Sequence, residues 1–148
     1  ESSDAYHMSS PHPEGLGARL SLIDALARAG IAPAEVDYIN LHGTATPKND
    51  EVEARVIDAI FPATTRASST KGWTGHTLGA AGILEAAIAL LALERGFVPG
   101  SLGCETPDAV CGPQLALANE ARELRTALSN SFGFGGNNCT LAFAAGAA

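Results

Sequence analysis

Ser69-Thr-Lys-Gly-Trp-Thr-Gly-His-Thr-Leu-Gly-Ala-Ala-Gly82 places a lysine (Lys71), a histidine (His76) and three threonines (Thr70, Thr74, Thr77) among four glycines. It runs directly into an apolar segment from Leu78 to Leu93 that reads as a buried helix, apolar on nearly every face. Glycines at this density let the backbone turn tightly or approach another group closely. A polar loop that opens a core helix also puts N–H groups and a histidine near a positive helix end. The plain alternative is a connector with a surface lysine and a hydrogen-bonded histidine. The rest of the chain decides between the two.

Upstream, Glu1 to Gly15 is polar and broken by Pro11 and Pro13, a loop with room for the tail of a strand before it. Leu16, Leu20, Ile23, Leu26 and Ala27 recur at helical spacing, with Arg28 in the last turn and Gly30 as the stop, so a helix is predicted over Leu16–Ala29. Val36 to Leu41 reads as a short strand between Pro33 and Gly43. It empties into His42-Gly-Thr-Ala-Thr-Pro47. Asp50 with Glu53 resembles a capping box opening a helix that ends near Ile60, before Phe61-Pro62. Arg66 to Ser69 is a weak strand by propensity. Phe97 to Gln114 reads as irregular connection, and Leu115 to Leu117 as a short strand. Thr126–Ser131 and Asn138–Phe143 are the last strands, joined by the glycine-rich turn Phe132 to Asn137. Strands alternating with helices before a terminal hairpin make an α/β layer.

The bulk numbers narrow the function. The 148 residues suit one domain, residues 1–148. A net charge of −7 supplies no basic face for nucleic acid. Glu85 interrupts the longest apolar run, so no membrane span is expected. Cys104, Cys111 and Cys139 are an odd count without metal-site spacing, which fits a reducing, cytoplasmic setting. The chain starts at Glu1 and its one methionine is Met8, so it reads as a piece of something longer.

Three polar turns thus follow three strands, and in open α/β sheets sites form where such turns converge. His42-Gly-Thr-Ala-Thr-Pro47, the Ser69–Gly82 stretch and Ser129-Asn-Ser-Phe-Gly-Phe-Gly-Gly-Asn-Asn138 together resemble, in order and spacing, the β-ketoacyl-[acyl carrier protein] synthases, condensing enzymes of the thiolase superfamily. Ser3-Asp-Ala-Tyr-His-Met8 and Pro11-His-Pro13 resemble that family too, so the resemblance covers essentially the whole chain.

The resemblance implies the C-terminal half of a thiolase-like fold: a mixed, five-stranded sheet with helices on both faces, its first strand truncated. It implies a decarboxylative Claisen condensation of fatty-acid biosynthesis, an acyltransferase reaction. In it an acyl group held on a cysteine is attacked by the carbanion left when malonyl-carrier protein loses carbon dioxide. His42 and His76 are implied as neutral donors to the enolate oxygen, with Lys71 orienting them and Glu85 as its buried partner. Phe134 matches the gating phenylalanine, whose N–H forms part of an oxyanion hole. Thr44 and Thr46 match threonines that bind the phosphopantetheine arm. Some members hold a monovalent cation, and the matching positions are Asn40, Glu85, Ser129 and Asn130. No tightly bound cofactor is implied beyond the carrier protein's arm. The implied partners are acyl carrier protein, an N-terminal half that carries the nucleophilic cysteine, and a second copy in a homodimer. Without that half the fragment is expected to be inactive and to expose the apolar Leu78–Leu93 helix. A polyketide-pathway ketosynthase half stays open beside this reading. So does a non-catalytic partner subunit of chain-length-factor type, although such a subunit has no chemical need for His42, Lys71 and His76. Trp73 is bulkier than the family pattern suggests.

Overall fold

The computed structural model describes residues 1–146. Five strands form one mixed sheet in the order β1-β7-β6-β2-β3: β1 Ser2–Ser3, β2 Tyr38–Asn40, β3 Arg66–Ser68, β6 Thr126–Gly133 and β7 Asn137–Ala144. The strand β2, next to the β3 edge, is parallel to both β3 and β6, while β7 is antiparallel to β6 and to β1. A separate two-stranded ribbon pairs β4, Phe97–Val98, with β5, Glu120–Ala121. Leu115 makes an isolated parallel bridge to Ala67, all that forms of the strand expected at Leu115–Leu117.

Alternation along the strands sorts side chains to two faces. Ile39 of β2, Ala67 of β3 and Leu128 of β6 point one way, onto Ala18, Leu22 and Leu26 of α1 (Leu16–Ala29) and Val56 and Ile57 of α2 (Pro47–Ile60). Tyr38 and Ala127 point the other way, onto Ala89, Ala92 and Leu93 of α4 (Ala81–Arg95). Helices therefore cover both faces, as expected.

The helix α1 has the bounds read from sequence. Gly30 adopts φ 68°, and the N–H groups of Gly30 and Ile31 return to the carbonyls of Ala27 and Leu26. That paired return closes the helix at a residue that tolerates a left-handed backbone.

Two expectations need correction. The first is the capping box. The helix α2 begins earlier, with Pro47 in its first turn and the Asp50 N–H bonded to the Thr46 carbonyl. Proline suits a first turn, where its missing N–H has no partner to lose. Glu53 is buried inside α2 and turns its carboxylate to a different element. The second is the apolar Leu78–Leu93 segment. It is a 3-10 turn, Leu78–Ala80, followed by α4, and only one face of α4 is covered. That covered face is lined with Ala81, Ala86, Ala89 and Ala92, small residues that let the helix lie close on the sheet. Leu78, Ile83, Leu90 and Leu91 point outward and are exposed.

Candidate functional site

The site is built at the carboxyl ends of β2, β3 and β6. His42 leaves the end of β2, and its turn is fixed from two sides. The Glu53 carboxylate accepts the N–H of His42 at 2.9 Å and that of Gly43 at 2.8 Å. The Ser69 hydroxyl donates to the Gly43 carbonyl at 2.6 Å, tying this turn to the next one. Gly43 has φ 34°, and a Cβ there would meet the Ser69 side chain at 2.5 Å, so only glycine fits. Glu53 is buried, and burial pushes its carboxyl above the usual range, opposed by the two backbone N–H groups and by the Asn130 amide.

Lys71 opens α3, Lys71–Thr74, the short helix inside the Ser69–Gly82 stretch. The lysine is buried. Its ammonium donates to the Glu85 carboxylate of α4, to the His42 carbonyl, and at 3.5 Å to His42 Nδ1. An ammonium carries three protons, and three acceptors take them. Trp73, two residues on, donates its indole N–H to the Gly100 carbonyl at 3.0 Å, and the bulky ring sits half in solvent. It anchors α3 to the loop that follows β4. Gly72 lies so close to that loop that a Cβ would stand 2.3 Å from the Leu102 carbonyl oxygen.

The two histidines meet. Their rings are edge to face, with centroids 5.6 Å apart and planes at 87°. His42 is buried and His76 is exposed, so the pair sits at a mouth. The helix-end position inferred for His76 is not where it lies: the residue precedes the 3-10 turn and stands a full turn before α4. Instead, the Leu78 N–H donates to His76 Nδ1 at 3.2 Å. With Lys71 facing His42 Nδ1, each ring has its Nδ1 acting as acceptor. That leaves Nε2 of each ring as the nitrogen turned to donate. Burial first, then the charge of Lys71, lowers the His42 pKa to about 3, which keeps that ring neutral.

Phe132, not Phe134, lies on the His42 ring, 5.7 Å between centroids. Phe134 sits two residues further, at the hairpin tip, 81% exposed and flanked by Gly133 and Gly135, the latter at φ 78°. Thr44 and Thr46 bond each other, Oγ1 to Oγ1 at 2.7 Å, around Ala45 at φ 60°. Leu78, beside His76, has φ 52°. A non-glycine residue in the left-handed region thus follows each histidine within three positions, and strain of this kind collects at working sites. A cavity of about 560 Å³ opens beside Lys71, His76 and Thr44, walled by α2 and by the loop around Leu102 and Cys111.

The four positions matched to a cation divide between the faces. Asn40 and Ser129 are register partners on β2 and β6, on the face that carries Glu85. Glu85 Oε2 and Ser129 Oγ are buried without a partner among the described residues. Asn130 follows Ser129 in the strand, so its side chain lies on the opposite face, against Glu53 and Thr140. Asn40, Glu85 and Ser129 thus share one face of the sheet, and the Asn130 side chain lies on the other.

Glu53, Phe132 and Thr140 are the site neighbours that the residue pattern left unassigned. For Asn130 the signal was present, since consecutive strand residues cannot share a face.

The fold and this arrangement of turns define a thiolase-like α/β domain, and the solved structures it matches include ketosynthases. Residues 1–105 match the family described as beta-ketoacyl synthase, C-terminal domain. The chain belongs to that family. It is 49% identical over 145 residues to 3-oxoacyl-[acyl-carrier-protein] synthase 2 of Coxiella burnetii, covering 95% of this chain and 35% of the relative. It is 43% identical over 150 residues to the mitochondrial 3-oxoacyl-[acyl-carrier-protein] synthase of Arabidopsis thaliana, covering 97% and 32%. Among solved structures it superposes with a TM-score of 0.89 and 49% identity on the ketosynthase (ApeO) in complex with its chain length factor (ApeC) from Xenorhabdus doucetiae, over 95% of this chain and 36% of that one. A type II polyketide acyl-carrier protein in complex with its ketosynthase matches with a TM-score of 0.89 at 30% identity, over 98% and 36%. The chain thus spans about a third of the length of the curated relatives it matches. Among the described residues no helix is long and apolar enough to cross a membrane.

Proposed function

We propose that this chain supplies the decarboxylating side of a 3-oxoacyl-[acyl-carrier-protein] synthase. The observation that carries the reading is the meeting of two imidazoles from separate turns, both oriented to offer Nε2–H. In the reaction the bond between the malonyl carboxylate and its α-carbon breaks and carbon dioxide leaves. The electron pair moves onto the thioester carbonyl as an enolate. His42 and His76 donate to that oxygen, and they stabilise it most as its negative charge develops. The enolate carbon then attacks an acyl thioester on a cysteine held outside these residues, and the thiolate departs. Lys71 and Glu85 fix the His42 ring from behind. The Phe134 N–H serves the second oxyanion, and the exposed ring gates the entrance. Thr44 and Thr46 bind the amide and hydroxyl groups of the phosphopantetheine arm of acyl carrier protein. The full protein works as a homodimer in the cytoplasm.

A monovalent cation fits between Asn40, Glu85 and Ser129. Two buried oxygens there lack partners, and one carboxylate among neutral oxygen donors suits a singly charged hard ion. Bound there, the ion would supply a fixed positive charge near Glu85.

The test is malonyl-carrier-protein decarboxylation by the full-length protein. His42→Ala and His76→Ala are each expected to lower it about 100-fold or more, the scale of losing an oxyanion donor, while acyl transfer to the cysteine continues. Decarboxylation retained in both variants overturns the assignment. Placement of the enzyme in a polyketide pathway is the second reading, favoured by the 49% identity to a ketosynthase solved with a chain length factor. Product analysis with fatty-acid and polyketide carrier proteins separates the two.

A further inference from the structure

A line of buried polar side chains runs from α1 to the His42 turn, and none of its outer members touches a histidine. Ser21 of α1 and Thr140 of β7 lie hydroxyl to hydroxyl at 3.2 Å. Thr140 donates to Asn130 Oδ1 of β6 at 2.9 Å, across a direct register pair. Asn130 Nδ2 donates to Glu53 Oε1 at 3.1 Å. Glu53 then accepts the N–H groups of His42 and Gly43. All four side chains are buried, from 0% exposure at Ser21 and Asn130 to 6% at Thr140.

We propose that the Thr140 hydroxyl is a positioning group for the His42 turn, acting through Asn130 and Glu53. The assignment of a catalytic consequence rests on the decarboxylase reading above. An asparagine amide is nearly symmetric in shape, and only its partners decide which end is the donor. Glu53 has two acceptor oxygens, so it needs the NH₂ end of Asn130. Thr140 supports that choice by donating its hydroxyl proton to the carbonyl end. Without that hydroxyl, Asn130 Oδ1 is left buried with no donor, and the amide is no longer held with its NH₂ end against Glu53. The carboxylate would then lose a donor and turn away, releasing the two N–H groups that define where His42 leaves β2. An unmet donor or acceptor in such a buried line is costly, which gives a distant hydroxyl leverage over the turn.

The hydroxyl protons sharpen the point. Ser21 and Thr140 have one proton each, and Ser21 is also 2.9 Å from the Ala18 carbonyl. With the Thr140 proton on Asn130, the donor between the two hydroxyls is Ser21, which shares its proton between Thr140 and Ala18. Ser21 therefore supports Thr140 without setting the amide itself.

The experiment uses the full-length protein with Thr140→Val, which removes the hydroxyl at constant shape, and Thr140→Ser, which keeps it. For Thr140→Val the decarboxylation kcat is expected to fall about tenfold with KM within about twofold, the scale of one buried hydrogen bond. Deuterium uptake of residues 41–46 should rise about tenfold, with α1 and α4 unchanged. Thr140→Ser should stay within about twofold of the parent in both readouts. A Thr140→Val protein with parental exchange at 41–46 overturns the proposal. So does a Thr140→Ser protein as impaired as Thr140→Val, since the methyl group rather than the hydroxyl would then matter. If Thr140→Val fails to fold, Thr140→Ala, which removes the same hydroxyl with less bulk, carries the test: faster exchange at 41–46 supports the line, and parental exchange overturns it. If the parent protein does not decarboxylate malonyl-carrier protein, the reaction assigned above fails, while the exchange measurement still decides the role of Thr140.

Discussion

The Lys71 ammonium and the Glu85 carboxylate are in contact beneath His42, fourteen residues apart in the chain and both buried. A pair of this kind is costly to split, because the survivor is left as an uncompensated buried charge. Lys71→Met should therefore destabilise the full-length protein by about 3–5 kcal/mol in urea unfolding. Lys71→Met combined with Glu85→Leu should recover part of that loss, since two apolar side chains need no partner. Decarboxylation should stay abolished in the double variant, because His42 Nδ1 has lost the cation that faces it. A double variant as unstable as the single one would show that the pair is not the source of the loss.

The pH dependence of stability should carry two opposed contributions. The His42 pKa is lowered to about 3, so below pH 6.5 the unfolded chain takes up a proton that the native imidazole refuses. That contribution makes stability fall as pH drops from 6.5 towards 3. Burial raises the carboxyls of Glu53 and Glu85, so above 4.5 the native state holds protons that the unfolded chain releases. That contribution makes stability fall as pH rises through their native values. Urea midpoints between pH 4.5 and 6.5 should accordingly respond in opposite directions. His42→Asn should tilt the profile towards greater stability at the acid end, and Glu53→Gln should tilt it the other way. Equal tilts from the two variants would contradict the burial of both groups.

The isolated 148-residue chain should self-associate. Leu78, Ile83, Leu90 and Leu91 form one exposed apolar strip, with Leu78 and Ile83 at 77% and 75%. Patches of this kind mark surfaces that pack against another body. In light scattering, Ile83→Lys should shift the isolated chain towards monomer. In the full-length protein the same substitution should instead destabilise by about 1–3 kcal/mol, the usual scale for a charge forced into an apolar contact. An unchanged particle size for the isolated variant would remove that strip as the cause.

Much of this was legible in the residues. Gly30 fixed the end of α1, because a stop signal is local chemistry and needs no partner. The turns after β2, β3 and β6 announced a shared site, because parallel strands bring their carboxyl ends to one edge. Glu53 was misread because a carboxylate three residues after an aspartate looks like a cap from sequence alone. Only the folded sheet brings the His42 and Gly43 N–H groups above it. The apolar run at α4 concealed which side was covered for a related reason. The close face carries Ala81, Ala86, Ala89 and Ala92 and the open one Ile83, Leu90 and Leu91, and hydropathy alone does not show which is covered. Phe132 and Phe134 were equally eligible aromatic neighbours until the hairpin placed one on His42 and the other at its tip.

The Lys71 nitrogen has three acceptors within 3.5 Å on three separate groups: a side-chain oxygen on α4, a main-chain oxygen, and a ring nitrogen. A guanidinium has the same charge, but it is flat and spreads its donors in one plane. Among sequence variants of this domain, arginine should thus be as poorly tolerated at position 71 as a neutral residue. What the position selects for is a tetrahedral shape.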